Sequence, residues 1–425
     1  MGMKCVQCGT DNDLRDRTNN QGRCKNCNHP FVFEPSALTD TRFKFTDPFF
    51  AKAINDISAN NTLYFTPEQL FYLLDRRLNA KAINAGGLIV GAILVTFVCG
   101  VASQGILVPI VALLFVIIGV LNSKKNQASN KFRRSSARFL QVFGIIIVIF
   151  GILASLASNS FLLFLFCVLL GMTSFYLGYR QLNRITNLSQ SFLISQQQFQ
   201  DWIERWTAIN STPKMLPTPQ IESSTSTVNT EISAYSFDRA VICDNAAIAQ
   251  LLIANNFHFE NSCAVLSITG YPQSIFSTVL DMLRRNPELK VYALHDASPR
   301  GVELVRCLRT SPDWFLNTNV MIYDLGLLPR QIVSSRGVFI RNSEESAQQA
   351  RQLPEEARRD LTPQEITWLE SGNFVELECF SPQRIMRVAN QGIAKSQVPD
   401  SGDSLVVIDD GGSYGGYVYT VETFG

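Results

Sequence analysis

The sequence predicts a multidomain protein: a small zinc ribbon, four transmembrane α-helices and a cytoplasmic α/β domain with a parallel sheet. Three observations predict this fold class. Four cysteines form two CxxC pairs near the N-terminus, two charge-free apolar runs occupy residues 83–122 and 139–179, and strand-like and helix-like segments alternate from about residue 234. A chain of 425 residues is long enough for two or three modules beside a membrane region.

The cysteine pairs have the CxxC-x15-CxxC spacing of a tetrahedral zinc site; their members are Cys5, Cys8, Cys24 and Cys27. The segment between the pairs is polar and cannot form a core, so metal binding has to supply its folding free energy. Four thiolates fill the coordination sphere, which predicts a structural zinc in a ribbon over residues 1–35. A redox dithiol is the alternative, and His29 is an alternative ligand.

Each apolar run is about 40 residues long, roughly twice the length of one helical span of a bilayer. We interpret each run as a helical hairpin. The predicted spans are 83–102, 106–122, 139–157 and 161–179. Two long tilted helices are the alternative interpretation.

The loop between the apolar runs is purely basic. It contains Lys124, Lys125, Lys131, Arg133, Arg134 and Arg138 and no acidic residue. Because Lys and Arg near span ends favour the cytoplasmic side, both termini are predicted to be cytoplasmic, in a bacterial inner membrane or its equivalent. Membrane lipid is then a partner, and the same cations can contact anionic headgroups.

Four further segments are assigned from their patterns. Residues 36–82 are predicted to be a helical juxtamembrane segment, with a capping box that begins at Thr66. Residues 180–209 form an amphipathic helix, and the Ser-, Thr- and Pro-rich residues 210–233 form a flexible linker. The Gly/Tyr-rich tail 396–425 is either a hairpin and a strand that joins a sheet, or partly disordered.

The domain over residues 234–395 alternates strands and helices, which predicts β-α-β units and a parallel sheet. Three strands end in aspartates, namely Asp244, Asp296 and Asp324. The carboxyl ends of parallel strands meet at one edge, where these carboxylates would repel one another unless a cation such as Mg²⁺ bridged them. Asp244 and Asp296 are the candidate catalytic residues and Asp324 a candidate Mg²⁺ ligand. Each can instead cap the next helix.

This domain resembles the Toprim domain, in the version of type IIB topoisomerase A subunits. The resemblance rests on Ala240-Val-Ile-Cys-Asp-Asn, Gly270-Tyr-Pro, Val291-Tyr-Ala-Leu-His-Asp-Ala-Ser-Pro-Arg-Gly301, Leu361-Thr-Pro-Gln-Glu and Phe374-Val-Glu-Leu-Glu-Cys-Phe-Ser-Pro. It implies that a glutamate after the first strand and an Asp-x-Asp after the third organise Mg²⁺ for phosphodiester chemistry. Here Asp244 stands at the glutamate position, and the Asp-x-Asp reads Asp296-Ala297-Ser298.

A second stretch, Phe65-Thr-Pro-Glu-Gln-Leu-Phe-Tyr72, is similar to the segment that bears the nucleophilic tyrosine of that family, but it lacks the arginine of the motif. Tyr72 is therefore either a nucleophile or, as we favour, a packed aromatic residue of a helix. Its distance in sequence from the α/β domain supports the second interpretation.

Three hypotheses follow. The favoured one is a non-enzymatic membrane protein that presents its ribbon and its Toprim-like domain to protein or nucleic-acid partners, because the acidic motif is incomplete. From residue 234 onward the chain has 16 Lys/Arg and 23 Asp/Glu, a net charge of −7, which opposes non-specific binding of nucleic acid. The others are a Mg²⁺-dependent phosphodiester or nucleotide-processing enzyme at the membrane and a tether for nucleic acid.

Overall fold

The computed structural model describes residues 2–33, 46–81, 117, 130–158, 161–185, 192–212, 214–219, 237–286, 288–316, 318–334, 338–396, 405–408 and 418–421. These residues form two compact units. One unit contains residues 1–74 and 195–425, and the other contains residues 75–194. The first unit is therefore discontinuous in sequence, because the second is inserted into it.

The first unit begins with the ribbon and a helical part. Its elements are β1 (Met3–Lys4), β2 (Asp11–Asn12), α1 (Leu14–Asn19), α2 (Asp47–Ile57) and α3 (Pro67–Lys81), the last of which continues into the second unit. α3 begins at the predicted capping box: the Gln69 amide donates to Thr66 Oγ1, and Gln69 Oε1 accepts from the Thr66 amide. The prediction of a helix start at Thr66 is confirmed.

The second unit contains α4 (Asn130–Ser158) and α5 (Phe161–Ile185). These helices are antiparallel, since Gly178 approaches Ala137, Gly144 approaches Gly171 and Gly151 approaches Cys167, so the positions rise along α4 as they fall along α5. Ser174 Oγ donates to the Leu140 carbonyl at 2.8 Å, so a polar side chain between the helices is satisfied. Asp75 Oδ1 accepts from the amides of Leu193 and Ile194, so the first and last residues of the unit are bonded to each other.

The predicted membrane region is wrong. Among the helices in the described ranges, none is long and apolar enough to cross a lipid bilayer. The integral-membrane fold class, the inner-membrane localisation and a function based on membrane presentation are overturned with it. The spans 139–157 and 161–179 instead belong to α4 and α5, whose apolar residues include a mutually packed cluster of Phe139, Leu140, Phe143, Ile147, Cys167 and Leu170. Apolar runs alone do not distinguish these uses. The span 83–102 and, except for residue 117, the span 106–122 lie outside the described residues.

The first unit resumes with α6 (Gln196–Thr207), which lies on the predicted amphipathic segment. Phe71 and Phe199 are in edge contact at 5.2 Å, so the chain re-enters this unit close to where it leaves it. The beginning of the predicted linker is held by backbone bonds, because the Phe65 amide donates to the Lys214 carbonyl and the Leu216 amide to the Phe65 carbonyl. Residues 220–233 lie outside the described residues.

The α/β domain follows, and its parallel sheet confirms the predicted fold class of this part. Its elements are β3 (Arg239–Cys243), α7 (Ala246–Ala254), α8 (Phe257–Glu260), β4 (Cys263–Ser267), α9 (Phe276–Arg284), β5 (Lys290–Leu294), α10 (Pro299–Thr310), β6 (Met321–Asp324), α11 (Pro329–Ser334), β7 (Arg341–Asn342), α12 (Glu344–Arg351), α13 (Glu355–Arg359), α14 (Pro363–Glu370), β8 (Asn373–Phe374), a 3-10 turn (Leu377–Cys379), α15 (Pro382–Lys395), β9 (Leu405–Ile408) and β10 (Val418–Val421).

The strand order is β4-β3-β5-β6-β10-β9. The strands from β4 to β10 are parallel to their neighbours, and β9 is antiparallel to β10. The described residues of the tail thus form a hairpin that itself joins the sheet. β4 lies on one side of β3, and β5, which follows β4 in the chain, lies on the other side. The direction in which the sheet is wound therefore reverses between β3 and β5. In open α/β sheets this reversal creates a crevice at the carboxyl ends of the strands, where ligands bind.

A buried carboxylate connects the ribbon to the helical part. Asp47, which is fully buried, accepts from the Val32 amide at 2.9 Å and from the Phe33 amide at 2.8 Å. Beside it, Phe33 stacks on Trp206 at 6.0 Å between ring centroids, and Phe50 lies 4.9 Å from the same ring. The end of the ribbon is therefore part of the aromatic core of the helical part.

Replacing Asp47 with asparagine is expected to lower the free energy of unfolding by about 1–3 kcal/mol, because an amide group leaves one buried N–H facing another donor. Thermal unfolding followed by tryptophan fluorescence measures the loss. Asp201→Asn, at an exposed position of α6, is the matched control and is expected to stay within about 0.5 kcal/mol. Equal unfolding of the two variants would show that Asp47 does not hold the ribbon.

Candidate functional site

The four cysteines of the ribbon converge on one point. Their sulfur atoms all lie within 4.8 Å of one another. Cys5 Sγ is 3.6 Å from Cys27 Sγ, and Cys8 Sγ is 3.5 Å from Cys24 Sγ. A tetrahedral zinc with Zn–S bonds of about 2.3 Å requires sulfurs about 3.8 Å apart, so this arrangement can hold a zinc ion. The predicted metal ligands are thus brought together.

Two turns of the same geometry present these thiols. The Cys5 amide donates to the Thr10 carbonyl and the Gly9 amide to the Cys5 carbonyl, and in the second pair Cys24 and Asn28 donate in the same way to His29 and Cys24. The residue after each pair has a positive φ, +73° at Gly9 and +58° at Asn28. Glycine and asparagine tolerate this backbone region best, which explains their presence there.

The site is further ordered by Asn12, which is fully buried. Its Nδ2 donates to Cys24 Sγ at 3.5 Å, and its Oδ1 accepts from the Lys25 amide at 2.9 Å. Donors to sulfur stabilise thiolates and orient metal ligands. His29 is not part of the four-cysteine group that the described residues bring together, so the cysteine set accounts for the site.

The second candidate site lies at the carboxyl ends of β3 and β5. The Asp296 amide donates to Asp244 Oδ2 at 2.8 Å, which joins the two predicted catalytic residues. Asp244 Oδ1 is buried and has no hydrogen-bond partner. Asp244 directly follows β3 and Asp296 lies two residues after β5, and the winding of the sheet reverses between these two strands.

The segment 373–380 covers this edge. Val375 and Ala297 exchange two backbone hydrogen bonds of 3.0 Å, and the Leu377 amide donates to Asp296 Oδ1 at 2.6 Å. The segment also brings Glu376 and Glu378 close enough to raise the pKa of Asp296. Sequence reasoning missed these two glutamates. The alternation of acidic and apolar residues in Val375-Glu-Leu-Glu-Cys379 was the available signal.

Burial makes these carboxyl groups weak acids. It raises the pKa of Asp244 to about 6, against the lowering effect of His295. Burial, and then the charge of Asp244, raises the pKa of Asp296 well above its usual range. Burial likewise raises the pKa of Glu378 to about 7, although Thr66 Oγ1 donates to its Oε1 at 2.8 Å. Such crowding of acids at a crevice is typical of functional sites.

The Asp324 carboxylate is paired with His295. His295 is fully buried, and its Nε2 lies 3.0 Å from Asp324 Oδ1 while its Nδ1 lies 2.8 Å from the Asp296 carbonyl. Both ring nitrogens face acceptors, so both donate and the ring is an imidazolium. Burial lowers the pKa of His295, but the Asp324 carboxylate outweighs it and raises that pKa to about 9. The Gly326 amide also donates to Asp324 Oδ1.

The remaining sequence candidates are placed as follows. Tyr72 is 1% exposed and its hydroxyl donates to Glu376 Oε2 at 2.5 Å. Ala297 is buried beside Val375, and Ser298 Oγ accepts from the Gly301 amide as the cap of α10. The position of the second acid of the Asp-x-Asp motif is thus occupied by a helix cap.

Comparison with known proteins gives no relative. No protein-family model, no curated protein and no solved structure matches the chain.

Proposed function

We propose that the protein is a zinc-ribbon protein whose Toprim-like α/β domain binds a divalent cation at Asp244 and Asp296 and, through it, a phosphate of a nucleic acid. The observation that carries the proposal is the pairing of these aspartates at the reversal of the sheet, with Asp244 Oδ1 buried and unbonded. An ionised oxygen without a donor in such a place needs a cation to offset its desolvation.

Asp244 and Asp296 suit Mg²⁺ better than a cation that takes all of its ligands from protein side chains. In the described part of the chain, the four cysteines are the one group of three or more His, Cys, Asp or Glu side chains close enough to share an ion. Mg²⁺ often has one or two carboxylate ligands, keeps several waters and takes its other ligands from phosphates. Asp244 and Asp296 would hold it, and when bound it would neutralise phosphate charge.

The same observations favour binding over catalysis. Ser298 caps a helix where the Toprim motif has its second acid, so one ligand of the catalytic arrangement is missing. The net charge of −7 from residue 234 onward repels a nucleic-acid backbone. A phosphate therefore approaches this edge through the bridging cation.

Titration of the full-length chain with Mn²⁺, followed by electron paramagnetic resonance, tests the cation site. We expect Asp244→Asn to weaken binding at least about tenfold, or about 1.4 kcal/mol. Asp281→Asn, an exposed acid on α9, is the control and should bind as the wild type does. Wild-type affinity in Asp244→Asn would refute the site.

The Mn²⁺ affinity is expected to rise as the pH increases through about 6, because protons compete with the cation until Asp244 ionises, and to go on rising at higher pH, because burial holds the pKa of Asp296 well above its usual range. Fluorescence anisotropy of a labelled single-stranded DNA oligonucleotide, measured with Mg²⁺ and in Mg²⁺-free buffer without a chelator, tests the ligand. Binding of the oligonucleotide that is equally strong with and without Mg²⁺, or undetectable in both, would contradict the proposed bridging role.

A further inference from the structure

The segment that covers the carboxylate edge is bonded to α3 and to Thr66, the residue that caps this helix. Thr66 Oγ1 donates to Glu378 Oε1, and Gln69 Nε2 donates to the Phe380 carbonyl at 2.9 Å. Tyr72 donates to Glu376 Oε2. These bonds join residues more than 300 positions apart in the sequence, within one compact unit.

The contacts with α3 are buried, which makes them specific. Thr66, Gln69 and Tyr72 are each at most 3% exposed. Glu376 is held on its other oxygen by Arg341, whose Nη1 lies 2.7 Å from Oε1. The Tyr72 ring also packs on Phe339 at 5.4 Å between centroids, so the hydroxyl has a fixed direction.

The bonds continue to the aspartates. Between Glu376 and Glu378, the Leu377 amide donates to Asp296 Oδ1, and the Asp296 amide donates to Asp244 Oδ2. A shift of residues 376–378 therefore moves the donor that orients Asp296. Outer groups of this kind commonly change metal affinity about 10–100-fold when they are removed.

We propose that Thr66 and Tyr72 are positioning residues for the proposed cation site, on which this inference rests. They fix residues 376–378, and through the Leu377 amide they set the orientation of Asp296. The helical part that follows the ribbon is then a component of the site, which the α/β domain does not complete alone.

The test measures Mn²⁺ affinity of full-length variants, each shown to be folded by near-ultraviolet circular dichroism. Thr66→Val removes the donor to Glu378 together with the hydroxyl that caps α3, and is expected to weaken binding about tenfold. Thr66→Ser keeps the hydroxyl and is expected to restore binding to within about twofold of the wild type, which a loss of packing alone would not explain.

Tyr72→Phe is expected to weaken binding about tenfold as well. Its matched control is Tyr292→Phe, because Tyr292 is also fully buried and its hydroxyl lies 2.7 Å from Ser396 Oγ, outside the carboxylate edge; it should bind as the wild type does. Wild-type affinity in both Thr66→Val and Tyr72→Phe would overturn the inference. Absence of Mn²⁺ binding by the wild type would instead overturn the cation site on which it rests.

Discussion

Replacing Cys24 with serine is expected to remove stoichiometric zinc from the chain and to unfold the ribbon. Cys24 is fully buried at the centre of the cysteine group and is bonded by Asn12. The described ribbon has only a small cluster of Met3, Cys5, Cys24 and Phe31 as its core. Metal binding is therefore expected to supply most of its stability, since structural zinc sites in small peptides contribute about 10–16 kcal/mol near neutral pH.

Metal analysis of the purified chain measures the zinc, and tryptophan fluorescence reports the unfolding because Phe33 stacks on Trp206. Cys307→Ser, at a half-buried thiol of α10 outside the cluster, is the control and should keep one zinc per chain. One zinc per chain in Cys24→Ser would show that the cysteines do not form a four-thiolate centre.

The second large effect is expected at His295. Replacing it with leucine leaves the Asp324 carboxylate buried without its ionic partner, and breaking a buried pair in this way costs about 3–5 kcal/mol. Urea unfolding followed by circular dichroism at about pH 6 measures the loss. The double variant His295→Leu/Asp324→Leu is expected to recover part of it, because both buried charges are then removed.

The pH dependence has a definite sign. The pKa of His295 is raised to about 9 in the folded chain, so the stability it contributes is complete below its unfolded pKa and declines as the pH rises toward 9. The pKa of Asp324 is lowered, since His295 outweighs the effect of burial, so its contribution is lost on acidification. The difference between wild type and His295→Leu should therefore shrink from about pH 6.5 to about pH 9.

His258→Gln is the control for the histidine experiment. His258 is half-buried, and its ring centroid lies 4.2 Å from that of Phe259 at an interplanar angle of 41°. The substitution is expected to change the free energy of unfolding by less than about 0.5 kcal/mol. If His295→Leu unfolds at the same urea concentration as His258→Gln, the ion pair does not stabilise the domain.

Local chemistry explains what the sequence predicts well. The CxxC pairs indicate which thiols converge, because their spacing brings two sulfurs together in each turn. The strands β3 to β6 appear as short apolar segments between helical ones, and an aspartate follows β3 and β5 within two residues and forms the last residue of β6. Thr66 marks the start of α3 because its hydroxyl and Gln69 satisfy the first amides of the helix.

The features that the sequence does not predict depend on contacts between residues far apart in the chain. Leu377, which lies between Glu376 and Glu378, bonds to Asp296 81 positions away, and Tyr72 bonds to Glu376 304 positions away. No local pattern in the sequence encodes these contacts. Asp324, like Asp244, stands at the end of an apolar strand segment, but its carboxylate is paired with the buried imidazolium of His295. The apolar run 139–179 predicted membrane spans because hydropathy does not reveal whether apolar side chains pack on a second helix.

The insertion of residues 75–194 has a consequence for the order of folding. The strands and helices on either side of it can associate only after a 120-residue loop has closed, and the entropy cost of closure grows with the logarithm of loop length. The contacts of α4 with α5 are local in the chain and can form early. The amides of Leu193 and Ile194 also donate to Asp75, which holds the two ends of the insert together. With these contacts formed, little loop is left to close, so an independently folded insert would speed the assembly of the part that flanks it.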